Sequence, residues 1–319
     1  MFDIDGCSMS RRAVIRLSVL GGFAFPAAGA APPRPIRQVV EMRRRPVPST
    51  GELLPVVGLG TNRYGGEAPD PESPLCGVIA ELVEQGGSVV DTARNYGRAE
   101  EVIGACLREE RDHYFIATKL GRYDRPMTSW TEQAAREDLE LAFDRLETES
   151  IDLMMAHDFS GPDGLLPPMR ELKGAGRIRY VGMSTSSDGH YEALLERIRT
   201  ERLDFVEVDY SLDNRNAAQR VLPAAADAGI AVIVNVPLGG RSALLSTLLA
   251  RPLPDWAAEL DARSWPQALL KYVLAHPAVT VVIPGTTRIE HLVDNCAAGR
   301  GPLPDPSLRR QMEAYVDAL

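Results

Sequence analysis

The sequence predicts an α/β fold of the (β/α)8 TIM barrel class, a single domain preceded by an N-terminal signal segment. Two observations predict it. Short apolar runs of the kind that form fully buried parallel strands alternate with amphipathic stretches, and the pair repeats eight times over about 240 residues. Asp91, Lys119 and His157 close three successive runs, and Tyr96 follows the first of them closely. In a barrel the C-terminal ends of all strands open on one face, so these four side chains would converge there.

Residues 1–30 read as a targeting segment rather than part of the fold. Ser10-Arg11-Arg12-Ala13-Val14-Ile15-Arg16 is a paired-arginine n-region, and Leu17 to Ala27 is an apolar stretch softened by Gly21, Gly22 and Pro26. Ala28-Gly29-Ala30 then offers small residues to a signal peptidase. The segment resembles a twin-arginine export signal, which implies passage of the folded protein through the twin-arginine translocation machinery into the periplasm. The alternatives are a cytoplasmic enzyme or a membrane-tethered one with an unprocessed N-terminus. The apolar stretch is too short and glycine-rich for a stable membrane span.

Residues 31–50, rich in Pro and Arg and ending near the turn Pro48-Ser-Thr-Gly51, read as a linker, and residues 51–319 as the barrel domain. Leu53 to Gly60 gives a first strand. A helix over Pro74–Gln85 is stopped by Gly86-Gly87, and a strand at Ser88–Asp91 follows. A helix at Glu100–Arg108 leads to a strand at Tyr114–Lys119, and Thr131–Leu146 is an amphipathic helix with Thr131 or Ser129 as its cap. Strand Ile151–His157 precedes a helix at Leu165–Gly174. Then come strand Tyr180–Ser184, helix Tyr191–Thr200, strand Phe205–Tyr210, helix Ala217–Asp227 and strand Ala231–Val236. Helix Ser264–Ala275, strand Val279–Pro284 and helix Ile289–Ala297 complete the alternation, with extra helical stretches at Ser242–Leu249 and Leu308–Leu319.

Composition narrows the function. A formal net charge of −9, without a basic stripe carrying interleaved aromatics, argues against a nucleic-acid partner. The four cysteines, Cys7, Cys76, Cys106 and Cys296, have neither Cys-x-x-Cys nor metal-ligand spacing, so no metal site is expected. The last three read as isolated thiols within helices.

The four converging residues suit proton handling. A tyrosine can protonate a developing alkoxide, but its ordinary pKa near 10 makes it slow at neutrality. A neighbouring ammonium favours the phenolate, a carboxylate keeps that ammonium charged and placed, and a neutral imidazole orients the carbonyl oxygen. Tyr96, Lys119, Asp91 and His157 supply these groups in that order. Taken singly, Asp91 could cap a turn, Lys119 could be a strand-end charge, Tyr96 could pack, and His157 could be a satisfied core histidine. Their joint placement at the ends of the second, third and fourth strands favours chemistry.

From about Gly51 to Asn295 the chain resembles the aldo/keto reductase family. The family's Asp–Tyr–Lys–His tetrad falls on Asp91, Tyr96, Lys119 and His157, and its Asp-x-x-x-x-Tyr-Gly element stands as Asp91-Thr-Ala-Arg-Asn-Tyr96-Gly97. Later matches are Gly182-Met-Ser184-Thr185, Phe205-Val-Glu207-Val-Asp-Tyr210-Ser211 and Ile283-Pro-Gly285-Thr286-Thr287. The resemblance implies NADPH-dependent reduction of an aldehyde or ketone, with Tyr96 as general acid and the cofactor extended across the barrel mouth. The alternative it allows is a nicotinamide-binding, redox-sensing subunit with little turnover.

By the same resemblance, Gly60 and Thr61 border the cofactor, Ser184 and Thr185 contact the nicotinamide carboxamide, and Glu207 and Asn235 lie beside the ring. Pro237, Leu238 and Gly239 follow the pyrophosphate. Gly285, Thr286, Thr287 and His291 approach the adenosine phosphate, and Asn295 the adenine. The family often carries Asn at Thr185, Gln at Glu207, an aromatic at Asn235, Lys at Gly285 and Arg at His291, so either a weaker grip on NADPH or relaxed choice between NADPH and NADH is expected. Arg63 and Arg94 are candidates for attracting an anionic or polar carbonyl substrate, with a solvated surface position as the plainer reading of each.

Overall fold

The computed structural model describes residues 41–319, apart from 108–109, 122–129, 160 and 240–243. The chain divides between residues 1–39 and 40–319, and every described residue belongs to the second unit. The export signal and the first half of the expected linker therefore lie outside the described residues.

The C-terminal part of that linker is folded. Strand β1 (Arg44–Pro46) pairs antiparallel with β2 (Leu53–Pro55) around a turn in which Gly51 takes φ +77°. Residues 44–46, within the expected linker, thus form part of this hairpin. The hairpin supplies Val47 and Leu54 to the apolar cluster of Phe115, Tyr180 and Phe205. The apolar run Leu53–Gly60 is correspondingly two strands, β2 in the hairpin and β3 (Leu59–Gly60) in the barrel.

Eight parallel strands form one sheet in sequence order: β3, β4 (Val89–Asp91), β5 (Phe115–Leu120), β6 (Ile151–His157), β7 (Ile178–Thr185), β8 (Phe205–Asp209), β9 (Ala231–Asn235) and β10 (Val279–Val282). The sheet closes on itself through parallel bridges Val57 to Val282 and Gly60 to Gly285. A Cβ on Gly60 would sit 2.8 Å from the Ile283 carbonyl oxygen, so the seam requires glycine there.

Alternation along each strand sorts the side chains. Val89, Phe115, Ala117, Leu153, Met155, Tyr180, Phe205, Ala231 and Ile233 point into the barrel and fill it. Their neighbours Val90, Ile116, Met154, Val181, Val206 and Val232 point outward into the layer beneath the helices. The inward phase, continued to the C-terminal strand ends, falls on Asp91, Lys119, His157, Ser184, Glu207 and Asn235.

The outer ring comprises α1 (Pro74–Glu84), α2 (Ala99–Leu107), α3 (Glu132–Arg145), α4 (Pro162–Gly174), α5 (Tyr191–Thr200), α6 (Asn216–Asp227), α7 (Leu244–Leu249), α8 (Trp265–Leu274) and α9 (Ile289–Ala297), followed by α10 (Pro306–Asp317). Side-chain caps fix several starts. Ser73 accepts from Leu75 N, Thr131 from Ala134 N, Ser264 from Gln267 N and Asp305 from Leu308 N, which satisfies amides that the helix itself leaves free. Helix α4 starts at Pro162, earlier than the apolar pattern implies, because a proline in the first turn gives up no helical hydrogen bond.

The cysteines differ from expectation. Cys76 on α1 and Cys106 on α2 form a disulfide, their Cα atoms 5.0 Å apart, rather than two isolated thiols. The two helices are adjacent in the ring, which brings residues 30 positions apart into bonding range. Cys296 is a buried free thiol.

Candidate active site

The mouth of the barrel at the C-terminal strand ends holds a cavity of about 590 Å³. Asp91, Tyr96, His157, Ser184, Glu207 and Asn235 line it, together with Thr61, Asn62 and Arg63 from the loop after β3. Pro237, Leu238 and Gly239 after β9, and Gly285 after β10, form another wall.

Lys119 is fully buried behind the lining residues Asp91 and Glu207. Its ammonium donates to both oxygens of Asp91, at 2.5 and 2.6 Å, and to the Thr92 carbonyl at 3.1 Å. A second carboxylate lies close by, with Glu207 Oε2 3.2 Å away, while Glu207 Oε1 accepts a hydrogen bond from Asn235 Nδ2 at 2.9 Å. Burial alone would strip the proton from Lys119, but the Asp91 and Glu207 carboxylates outweigh it and hold the ammonium above the usual lysine range. Burial, and then the neighbouring Glu207, push the Asp91 carboxyl well above the ordinary carboxylate range, against the pull of Lys119.

Tyr96 sits on the loop between β4 and α2, with the Lys119 ammonium 5.6 Å from its ring centroid. The loop reaches this position through a tight approach. A Cβ on Gly65 would fall 1.8 Å from the Tyr96 carbonyl oxygen, and Arg98 N donates to the Gly65 carbonyl. No other residue fits at Gly65 without moving Tyr96. The Tyr96 and His157 rings meet nearly at right angles, centroids 6.0 Å apart. Burial, and next the positive charge of Lys119, lower the His157 pKa to about 4. Its imidazole is therefore neutral at neutral pH and able to orient an oxygen.

The remaining sequence candidates divide. Ser184 lines the cavity and its Oγ has no hydrogen-bond partner among the described residues, while its neighbour Thr185 points the other way and shares a hydrogen bond of 2.9 Å with His190 Nδ1. Gly60 belongs to the barrel seam. Thr286 is buried and its Oγ1 bonds the Arg288 backbone, Asn295 is 3% exposed, and neither lines the cavity. Thr287 and His291 are exposed, also outside it. Arg63 lines the cavity, whereas Arg94 is half-buried outside it, close enough to Glu100 to stabilise that carboxylate.

Ile283 and Pro284, from the Ile283-Pro-Gly285 match, also line the cavity, and Asp158, Ser186, Val236 and Leu245 complete the lining without having stood out in the sequence. Asp158 accepts from Ser186 N at 3.0 Å, and its other oxygen lies 3.6 Å from His157 Nε2. Asp158 and Val236 take φ of 45° and 49°, conformations that non-glycine residues adopt rarely and chiefly where a site imposes them.

Comparison with known proteins supplies the family. The model of the aldo/keto reductase family matches residues 56–315. The chain belongs to the aldo/keto reductase family. It is an NAD(P)H-dependent oxidoreductase of that family. It is 27% identical over 313 residues to the uncharacterized oxidoreductase YqkF of Bacillus subtilis, covering 87% of this chain and 95% of that protein. It is 28% identical over 223 residues to the NADH-specific methylglyoxal reductase of Escherichia coli, covering 62% of this chain and 68% of the enzyme. Among solved structures, an aldo/keto reductase from Klebsiella pneumoniae in complex with NADP and acetate superposes with a TM-score of 0.69 at 25% identity, covering 83% and 93% of the two chains.

Proposed function

We propose that this aldo/keto reductase reduces an aldehyde or ketone to an alcohol with NADPH, Tyr96 giving the proton. The observation that carries the reading is the buried Asp91–Lys119 ion pair opening on the same cavity as Tyr96 and a neutral His157. Similarity to a protein crystallised with NADP supports the choice of cofactor, and similarity to an NADH-specific enzyme leaves NADH as a second donor.

The residues present fit a nicotinamide. Ser184 Oγ and Asn235 Oδ1 are buried polar atoms with no hydrogen-bond partner among the described residues, both residues lie in the cavity wall, and a carboxamide would satisfy them. Ser184, Asn235 and Glu207 would hold that end, and Pro237, Leu238, Gly239 and Gly285 the remainder. Bound NADPH supplies the hydride.

The chain's own groups do the rest. His157 Nε2 or Nδ1, neutral, donates one hydrogen bond to the carbonyl oxygen and fixes its direction. Tyr96 transfers its phenolic proton to that oxygen as negative charge develops. Lys119 stabilises the phenolate left behind, and Asp91 keeps Lys119 charged. The test is steady-state NADPH oxidation against a panel of aldehydes and quinones. Absence of turnover on every member, with tight nicotinamide binding retained, would overturn the reading.

We also propose that the protein is exported folded to the periplasm, on the Arg11-Arg12 segment and its small-residue end. The Cys76–Cys106 disulfide supports this reading, because disulfides persist in oxidising compartments and are rare in reducing ones.

A further inference from the structure

Lys119 has two carboxylate neighbours. Asp91 reaches it from β4 at 2.5 Å, and Glu207 reaches it from β8 at 3.2 Å, on a strand four places round the barrel. All three residues are 2% exposed or less. Strand phase gives Glu207 no other direction, since it lies two residues beyond Phe205, which fills the barrel interior. Asn235 Nδ2 holds Oε1 and leaves Oε2 towards the ammonium.

We propose that Glu207 is a second counter-ion of Lys119, able to keep the ammonium charged without Asp91, and so a positioning residue for the proton donor Tyr96. The inference rests on the reading of Tyr96 given above and deepens it. Two carboxylates within ion-pair distance of one ammonium share it, so neither is its sole partner. The raised Asp91 carboxyl, due to burial and then Glu207, agrees with this arrangement. When either carboxylate is removed the other remains beside the ammonium, and Lys119 still has a partner. With one carboxylate only, losing it would leave a buried lysine that sheds its proton.

The charged and titratable groups around Tyr96 are Asp91 and Arg94 on its own strand and loop, Lys119 on β5, His157 and Asp158 at the end of β6, Glu207 on β8, and Arg63 after β3. Of these, Asp91 and Glu207 are the two in ion-pair contact with Lys119. The protonation of Lys119 is therefore read most directly in the ionisation of Tyr96, which an ammonium nearby favours.

The test is the titration of Tyr96, obtained as the difference in ultraviolet tyrosinate absorbance between each protein and the same protein carrying Tyr96→Phe. It is recorded for the wild type, Asp91→Asn, Glu207→Gln and the double variant, each checked for native circular dichroism. The midpoint in Asp91→Asn should stay in place or fall, and in the double variant it should rise by about one pH unit or more as Lys119 becomes neutral. A rise of that size in Asp91→Asn alone would overturn the proposal, as would a double variant whose midpoint does not rise. If the double variant does not fold, the single variant still decides. The readout needs no turnover, so failure of carbonyl reduction and failure of the second counter-ion are separately visible.

Discussion

Tyr96 and His157 stand edge to face across the cavity, centroids 6.0 Å apart, and their protonation states are opposite to what either would need in the other's place. The phenol has a proton to give, and the imidazole, its pKa lowered to about 4 by burial and Lys119, carries no charge that would compete for the oxygen. Tyr96→Phe keeps the ring and removes the proton. NADPH binding by fluorescence titration should survive while carbonyl reduction falls by ~10²–10⁴-fold, the usual range of general acid catalysis. A variant retaining near-full rate on every active substrate would make Tyr96 a packing residue.

The depressed His157 pKa also predicts how stability depends on pH. A histidine buried in its neutral form binds its proton more readily when unfolded, so it stabilises fully above the unfolded value near 6.5 and loses that contribution as pH falls towards about 4. From pH 7 to 4.5 the loss from His157 is about 2–3 kcal/mol. Urea unfolding at the two pH values should show this drop in wild type and a smaller one in His157→Gln. Equal drops would mean that His157 is hydrated.

The disulfide closes a loop between residues 30 apart in sequence. The chain-entropy estimate for a loop of that size is about 3–4 kcal/mol. Cys76→Ser should lower the melting temperature by several degrees under oxidising conditions, and added reductant should shift wild type but not the variant. Identical melting with and without reductant in wild type would mean that the bond does not form in solution.

These residues also mark what a sequence makes legible. The strand Ile151–His157 stands where its apolar run places it, since a buried parallel strand leaves a continuous run with turn residues at both ends. The convergence of Asp91, Lys119 and His157 follows from strand ends alone. The facing of Thr185 was also readable, because it adjoins Ser184 and adjacent strand residues cannot both point inward. Arg44–Pro46 hid as a strand because prolines and arginines read as loop, and its pairing depends on a turn closed by Gly51. Cys76 and Cys106 gave no signal, since only the packing of α1 on α2 makes them neighbours. Asp158 and Val236 adopt positive φ against their own preference, so only the surrounding fold specifies them.

Export carries its own test. Changing Arg11 and Arg12 to Lys keeps the charge and removes the guanidinium pair on which the twin-arginine reading stands. Precursor should accumulate in the cytoplasm, followed by cell fractionation and immunoblotting. Mature protein arriving in the periplasm through the double variant would exclude that route.

Glu207 also has a consequence for cofactor redox state. A nicotinamide ring is cationic when oxidised and neutral when reduced, so a carboxylate beside it stabilises the oxidised form. At an effective dielectric near 20, a pair of unit charges ~6 Å apart interacts by about 3 kcal/mol, a gross upper guide. Lys119 at 3.2 Å takes up part of the Glu207 charge, which leaves a smaller share for the ring. Even about 0.6 kcal/mol is a change of roughly threefold in relative affinity. Glu207→Gln also exchanges a group that only accepts hydrogen bonds for one that both donates and accepts, which suits the carboxamide in either redox state. The ratio of NADPH to NADP+ affinity, titrated by fluorescence for both forms, should therefore rise in Glu207→Gln by about threefold to tenfold. A ratio that stays constant or moves towards NADP+ would mean that Lys119 cancels the Glu207 charge at the ring, or that the ring binds elsewhere in the cavity.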